Sequence, residues 1–181
     1  GAYDYLMYAK KNTPNKALKD VLDTEMKKVG AKEQRGLKYD VYFISLGNAF
    51  PWGSNMTVAN NAMFYQMMYN VYDDEFYNEY ATHGLDYLFG VNPVSYCYIT
   101  GYGTVSPEHI HHRPSQYVGK PFPGMVVGGA NSNPADPYAN AVLMYRKNGK
   151  KYVDNETSFS TNEITIYWNS PAIYLLSYHA K

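Results

Sequence analysis

Between Val94 and Val153 the chain shows no helical period, and this gap limits the possible folds more than any other feature of the sequence. Gly and Pro recur through it, among them Gly101, Gly103, Pro107, Pro114, Gly119, Pro123, Gly128, Gly129 and Pro137. Glycine frees the backbone and proline removes a donor, so neither favours a continuous helix or strand. A stretch this long without regular structure is unusual inside a compact domain and is commonly functional. The fold must therefore consist of regular elements that carry a long, fixed loop system.

The flanks supply those elements. Residues 3–11 read as a truncated helix end, broken by Thr13 and Pro14. From Asn15, Leu18, Val21, Leu22, Met26 and Val29 recur at threes and fours, which predicts a helix ending near Gly30. Residues 35–55 are mixed: YDVYFISLG fits a helix or an extended run, and PWGSN is a turn-rich loop. A second helix begins at Thr57, with Asn55 or Thr57 as its cap, and Asp73 and Asp74 close it. Its methionines read as packing material. A third helix spans about Glu75 to Phe89, with Gly90 and Pro93 as its stop and His83 as a structural residue. MVVGG suggests a short strand, and RKNGKK a solvated turn. The last helix is expected from Ser170, with Pro171 as its first helical residue, almost to Lys181. The pattern predicts an all-α chain of antiparallel helix pairs with one decorated loop system before the last helix.

Composition removes several functions. The 181 residues form one domain by length, with 16 Lys plus Arg against 16 Asp plus Glu. A net charge of zero and sparse arginine argue against a nucleic-acid groove. No apolar run reaches the length of a membrane span. Cys97 is the single cysteine, so no internal disulfide can form. The chain opens on GAYDYL without a signal peptide, like the interior of a longer polypeptide. Tyrosine is the outlier, 21 residues against 7 Phe. Its ring stacks while its hydroxyl stays polar, which suits both a wet contact surface and a hydrogen-bonded core.

Two stretches concentrate chemistry. Tyr152–Ser170 (YVDNETSFSTNEITIYWNS) places Asp154 and Glu163 among aromatic and amide residues, and Gly101–Arg113 (GYGTVSPEHIHHR) holds three of the five histidines and an arginine. Carboxylates can move protons at a glycosidic bond, and flat rings stack on sugar faces. Each feature also has an ordinary reading: packed rings, a capping acid, a core tryptophan. His109 and His111 form at most half a metal site, and no third ligand has suitable spacing.

The spacing of Tyr152, Asp154, Phe159, Glu163, Thr165, Asn169 and Ser170 resembles the second signature of glycoside hydrolase family 9, the inverting cellulases. His111 and Arg113 resemble the close of that family's first signature. The resemblance extends through PWGSN, LDYLFGVNP and PGMVVGG, and so covers roughly residues 40–181. It implies the C-terminal portion of an (α/α)6 double-shell helical barrel with long active-site loops, the N-terminal portion being absent from this sequence. It further implies Glu163 as general acid; its sequence neighbours Ile164, Ile166 and Trp168 are candidates for a low-polarity wall that would raise its pKa. Asp154 assists, either receiving hydrogen bonds from substrate or holding a neighbouring group. His111 and Arg113 contact sugar. Tyr102, Trp168 and Trp52 are candidate stacking rings, each with packing as the alternative, and Asn131 offers an amide. The family's water-activating Asp-Ala-Gly-Asp run does not occur here, so the general base lies outside this chain, which alone should be inactive. The implied substrate is a β-glucan and the implied location extracellular. No cofactor is required, although calcium is possible in the full-length enzyme. A carbohydrate-binding module or a helical scaffold remains the competing reading, and a shared groove for Glu163 and His111 would decide against both.

Overall fold

The computed structural model describes residues 1–37 and 39–180. Lys38, inside the mixed stretch, and Lys181, near the expected end of the last helix, lie outside the described residues. The fold is all-α: α1 (Ala2–Ala9), α2 (Lys16–Leu37), α3 (Ser54–Tyr72), α4 (Glu75–Leu88), α5 (Arg113–Val118), α6 (Pro137–Leu143), α7 (Phe159–Asn162) and α8 (Ile166–His179). A 3-10 turn, Asn148–Lys150, occupies the expected RKNGKK turn. Among the described residues β-structure is limited to three isolated bridges.

Helix α3 is central and packs against both α4 and α8, while α1 rests on α2 and α3. Asp73 and Asp74 alone join α3 to α4. Asp73 ends α3 in the left-handed region (φ 55°), which a short polar side chain tolerates. Asp74 then caps α4 by accepting from the Phe76 amide at 3.1 Å. The helices touch closely at Gly84, where a Cβ would overlap the Ala62 methyl. Around this crossing Leu37, Ala62, Tyr65, Ala81, Leu85 and Leu175 form one apolar cluster. A second cluster lies under the loops, where Val58, Leu88, Tyr98, Ile110, Val127 and Tyr152 meet.

Three sequence expectations shift. Helix α2 runs through Gly30 to Leu37; the glycine lets the Tyr77 hydroxyl and the Met68 methyl approach, a Cβ there standing 2.8 and 3.0 Å from them. Helix α3 starts at Ser54 with left-handed Gly53 as its cap, because the Asn55 side chain is buried and donates to the Val127 carbonyl at 2.9 Å. Helix α8 begins at Ile166, so Pro171 lies inside it. The proline cannot donate to the Tyr167 carbonyl one turn back; the Ser170 hydroxyl points to that oxygen at 3.5 Å. His83 is structural, stacked on Phe43 at 4.8 Å between ring centroids.

Candidate active site

The loop system is fixed by backbone pairing around residues 161–164. On one side the His111 amide donates to the Asn162 carbonyl at 2.9 Å, and on the other the Gly128 amide donates to the Glu163 carbonyl at 3.1 Å and the Gly129 amide to the Thr161 carbonyl at 2.9 Å. Residues 161–164 therefore run between 109–111 and 127–129, although no strand is long enough to be regular. The expected MVVGG strand reduces to bridges from Val126 to Ile99 and from Val127 to Ile164. The whole knot is anchored on α3, since the Asn55 amide donates to the Gly128 carbonyl and the Ser54 hydroxyl to the Ala130 carbonyl at 2.7 Å. PWGSN thus acts by joining the central helix to the loops.

His111 and Glu163 are partners in a parallel bridge. Bridge partners stand side by side with side chains on the same face, while their neighbours point the other way. Ile110 and Asn162 are accordingly buried. The Glu163 carboxylate is half-buried and makes no hydrogen bond or ion pair to the described residues. The His111 Nδ1 lies 2.6 Å from the Glu156 carbonyl. A carbonyl oxygen only accepts, so Nδ1 carries the hydrogen and Nε2 is the nitrogen left for a ligand.

A row of rings leads away from this pair. Phe159 meets the His111 ring edge-on at 6.0 Å and lies 5.5 Å from Trp52, between centroids. Trp52 is 44% exposed and so can present a face to solvent. Arg113 opens α5, exposed and without a hydrogen bond to the described residues. The rings of His111, Phe159 and Trp52 thus form a chain that starts at the bridge partner of Glu163, and Arg113 stands exposed two residues after His111.

Asp154 is occupied differently. Its Oδ2 accepts from the Glu108 amide at 2.8 Å, and its Oδ1 accepts from the His109 amide at 3.0 Å and from Asn162 Nδ2 at 2.8 Å. It therefore holds the histidine-bearing loop, the second of the two uses expected of it. Burial, then the Asp154 charge, pushes the neighbouring Tyr96 phenol well above its ordinary range. Burial likewise keeps Tyr152 protonated, and its hydroxyl donates to Asn162 Oδ1 at 2.8 Å.

Several expected contacts are corrected. Trp168 is 3% exposed, wedged against Gly53 and Gly128, where a Cβ would come within 3.0 and 3.1 Å of its ring. It plugs the core under the loops and offers no stacking face. Nor does Ile166, 89% exposed, wall Glu163. Asn131 is buried and turns inward, donating to the Ser160 carbonyl at 3.0 Å and accepting from the Asn133 amide at 2.9 Å. Tyr102 is exposed, but it lines a groove with Phe89, Val126 and Ile173 that includes neither His111 nor Glu163.

Sequence reasoning set Asp136 aside as an insufficient calcium ligand and missed its structural role. Asp136 is fully buried, caps α6 through the Ala139 amide at 2.6 Å, and accepts from the Ser158 hydroxyl and the Ser160 amide at 3.1 Å each, as well as from the Ser160 hydroxyl. Burial pushes its carboxyl up, but the Ser160 hydroxyl and the Ala139 and Ser160 amides outweigh this and hold it below the ordinary range. The Asp-Pro step, a cap residue followed by proline at the first helical position, was the available signal. Asp136 and Asp154 face N–H and O–H donors, so neither fits a calcium ion, which needs free oxygen ligands. Among the described residues no three His, Cys, Asp or Glu side chains are grouped to hold a metal.

These features agree with the comparisons. Residues 3–176 match glycosyl hydrolase family 9, and the chain belongs to that family. It is 32% identical over 174 residues to the xyloglucan-specific endo-beta-1,4-glucanase BoGH9A of Bacteroides ovatus, covering 92% of this chain and 29% of the relative. It is 34% identical over 163 residues to endoglucanase C of Cellulomonas fimi, covering 83% of this chain and 15% of that protein. Among solved structures it superposes on AaCel9A, determined with cellobiose-like isofagomine, at TM-score 0.87 and 34% identity, covering 98% of this chain and 34% of that one. A metagenome-derived family 9 endoglucanase gives TM-score 0.87 at 25% identity, with 99% and 32% covered. The chain thus spans about a third or less of the length of these relatives.

Proposed function

We propose that this chain is the C-terminal part of an exported, inverting glycoside hydrolase domain, an (α/α)6 barrel that cleaves β-1,4-glucosidic bonds in cellulose or a related β-glucan. The observation that carries the reading is the bridge between His111 and Glu163, which sets an unpartnered carboxyl beside an imidazole with one nitrogen free. Family membership, and the cellobiose-like ligand of the AaCel9A structure, support the substrate class.

In this mechanism Glu163, protonated, gives its proton to the glycosidic oxygen as the bond to the anomeric carbon breaks. Water attacks that carbon from the opposite face and loses its proton to an aspartate supplied by the rest of the domain, which inverts the configuration. His111 Nε2 and the Arg113 guanidinium bind hydroxyls of the adjoining sugar. Trp52 offers a ring to a further sugar unit. Asp154 keeps the 108–111 loop in register with Glu163. A scaffold or a pure binding module has no use for a carboxyl held in this register.

The test is Glu163→Gln in the intact enzyme. Turnover of unactivated β-glucan should fall about 10²- to 10⁴-fold, the usual contribution of a general acid. An aryl glycoside whose leaving group needs no proton should lose far less. Equal loss on both substrates would refute the acid role.

A further inference from the structure

We propose that Asn162 is a positioning residue for this site, a clamp that sets His111 and Glu163 in register. The proposal rests on the function proposed above.

Asn162 is fully buried at the end of α7, immediately before Glu163. Its side chain has two donors and one acceptor in use. Nδ2 donates to the His109 carbonyl at 2.7 Å and to Asp154 Oδ1 at 2.8 Å, and Oδ1 accepts from the Tyr152 hydroxyl. Two acceptors face one end and a phenol the other, so the amide has one allowed orientation. Its backbone carbonyl in turn receives the His111 amide.

Both polar groups of the His109 backbone are therefore captured, the carbonyl by Asn162 and the amide by Asp154. Two residues later, His111 pairs with Glu163. In an extended pair a slip of one residue moves every side chain to the opposite face. Here the pairing is too short for a ladder to hold the register, and the amide of Asn162 does so instead. Aspartate at this position would lose the donors and set a second carboxylate against Asp154 and the His109 carbonyl. Alanine would take the Nδ2 donor from the His109 carbonyl and leave Asp154 Oδ1 with the His109 amide alone.

The test uses the intact enzyme with Asn162→Asp, Asn162→Ala, Tyr152→Phe and, as a separate control, Glu163→Gln. The clamp predicts that Asn162→Asp raises KM and lowers kcat on unactivated β-glucan, a combined loss of about tenfold or more. That loss should deepen as pH rises and ease as pH falls, because the introduced carboxyl regains one donor when protonated. On an activated aryl glycoside the kcat loss should shrink while the KM defect persists, since His111 remains displaced. A purely structural role would instead reduce the amount of folded enzyme, lowering kcat equally on both substrates with KM unchanged and no change in pH profile; that result overturns the proposal. If Asn162→Ala does not fold, Asn162→Asp at neutral pH and Tyr152→Phe decide, and parental KM in both refutes the clamp. A fully active Glu163→Gln enzyme would refute the acid assignment alone, because the clamp is read from KM through His111.

Discussion

Replacing Asp136 with alanine should unfold the site from behind. The carboxylate is fully buried and receives four hydrogen bonds, so its removal strands donors with no route to water. The Ser158 hydroxyl keeps a partner in Thr161 Oγ1 at 2.7 Å, and the Ser160 hydroxyl can rotate. The Ala139 and Ser160 amides cannot move. At about 1–3 kcal/mol for each buried group left unpaired, the loss is about 2–6 kcal/mol. Urea unfolding at pH 7, followed by tryptophan fluorescence, measures it. The pH dependence gives a second check. The native carboxyl lies below its ordinary value of 3.8, so the charge-dependent part of its stabilisation is complete above that value and is lost as pH falls through the native one. The gap between parent and variant should be widest at pH 7 and narrow only in strong acid. A difference below about 1 kcal/mol at pH 7, or a gap unchanged by acid, would refute the reasoning.

Other perturbations separate core from surface. Trp168→Ala should cost about 3–5 kcal/mol of stability by opening a cavity between Gly53 and Gly128. Trp52→Ala should leave denaturant unfolding within about 0.5 kcal/mol of parent but weaken oligosaccharide binding, read by calorimetry, about two- to tenfold through the lost ring contact. Gly84→Val should destabilise by about 1–3 kcal/mol, because its side chain has no room against Ala62 on α3. Residues 1–181 alone should release no reducing sugar from a soluble β-glucan if, as proposed, the base belongs to the rest of the domain.

What the sequence revealed followed the strength of local signals. The α3–α4 hairpin was legible because apolar residues at helical spacing meet two adjacent aspartates, one ending a helix and one capping the next. Helix α2 outran its expected end because a glycine that looks like a terminator serves as a contact point for Tyr77, which lies far along the chain. The start of α8 was obscured by Pro171: proline marks a first turn statistically, yet neighbouring side chains tolerate it further in. Glu163 and His111 were legible as a spaced pattern, but their pairing is a backbone bridge between residues 52 positions apart, and single-sequence periodicity carries nothing on such contacts. Trp168 and Asn131 were misread for one reason. A ring or an amide has the same chemistry in a cleft as in a core, and only burial distinguishes the two. The role of Asp136 was overlooked because its partners, Ser158 and Ser160, lie 22 and 24 residues further along the chain.

The central claim is that Glu163 and His111 act on one sugar chain from one face. A crystal structure of the intact Glu163→Gln enzyme with an oligosaccharide bound across the cleft tests it most directly. The account predicts the side-chain amide of the substituted residue within hydrogen-bond reach of the scissile oxygen, about 3 Å, with His111 Nε2 on a hydroxyl of the adjoining sugar. A ligand bound in order elsewhere, with these two side chains facing away from it, would contradict the account.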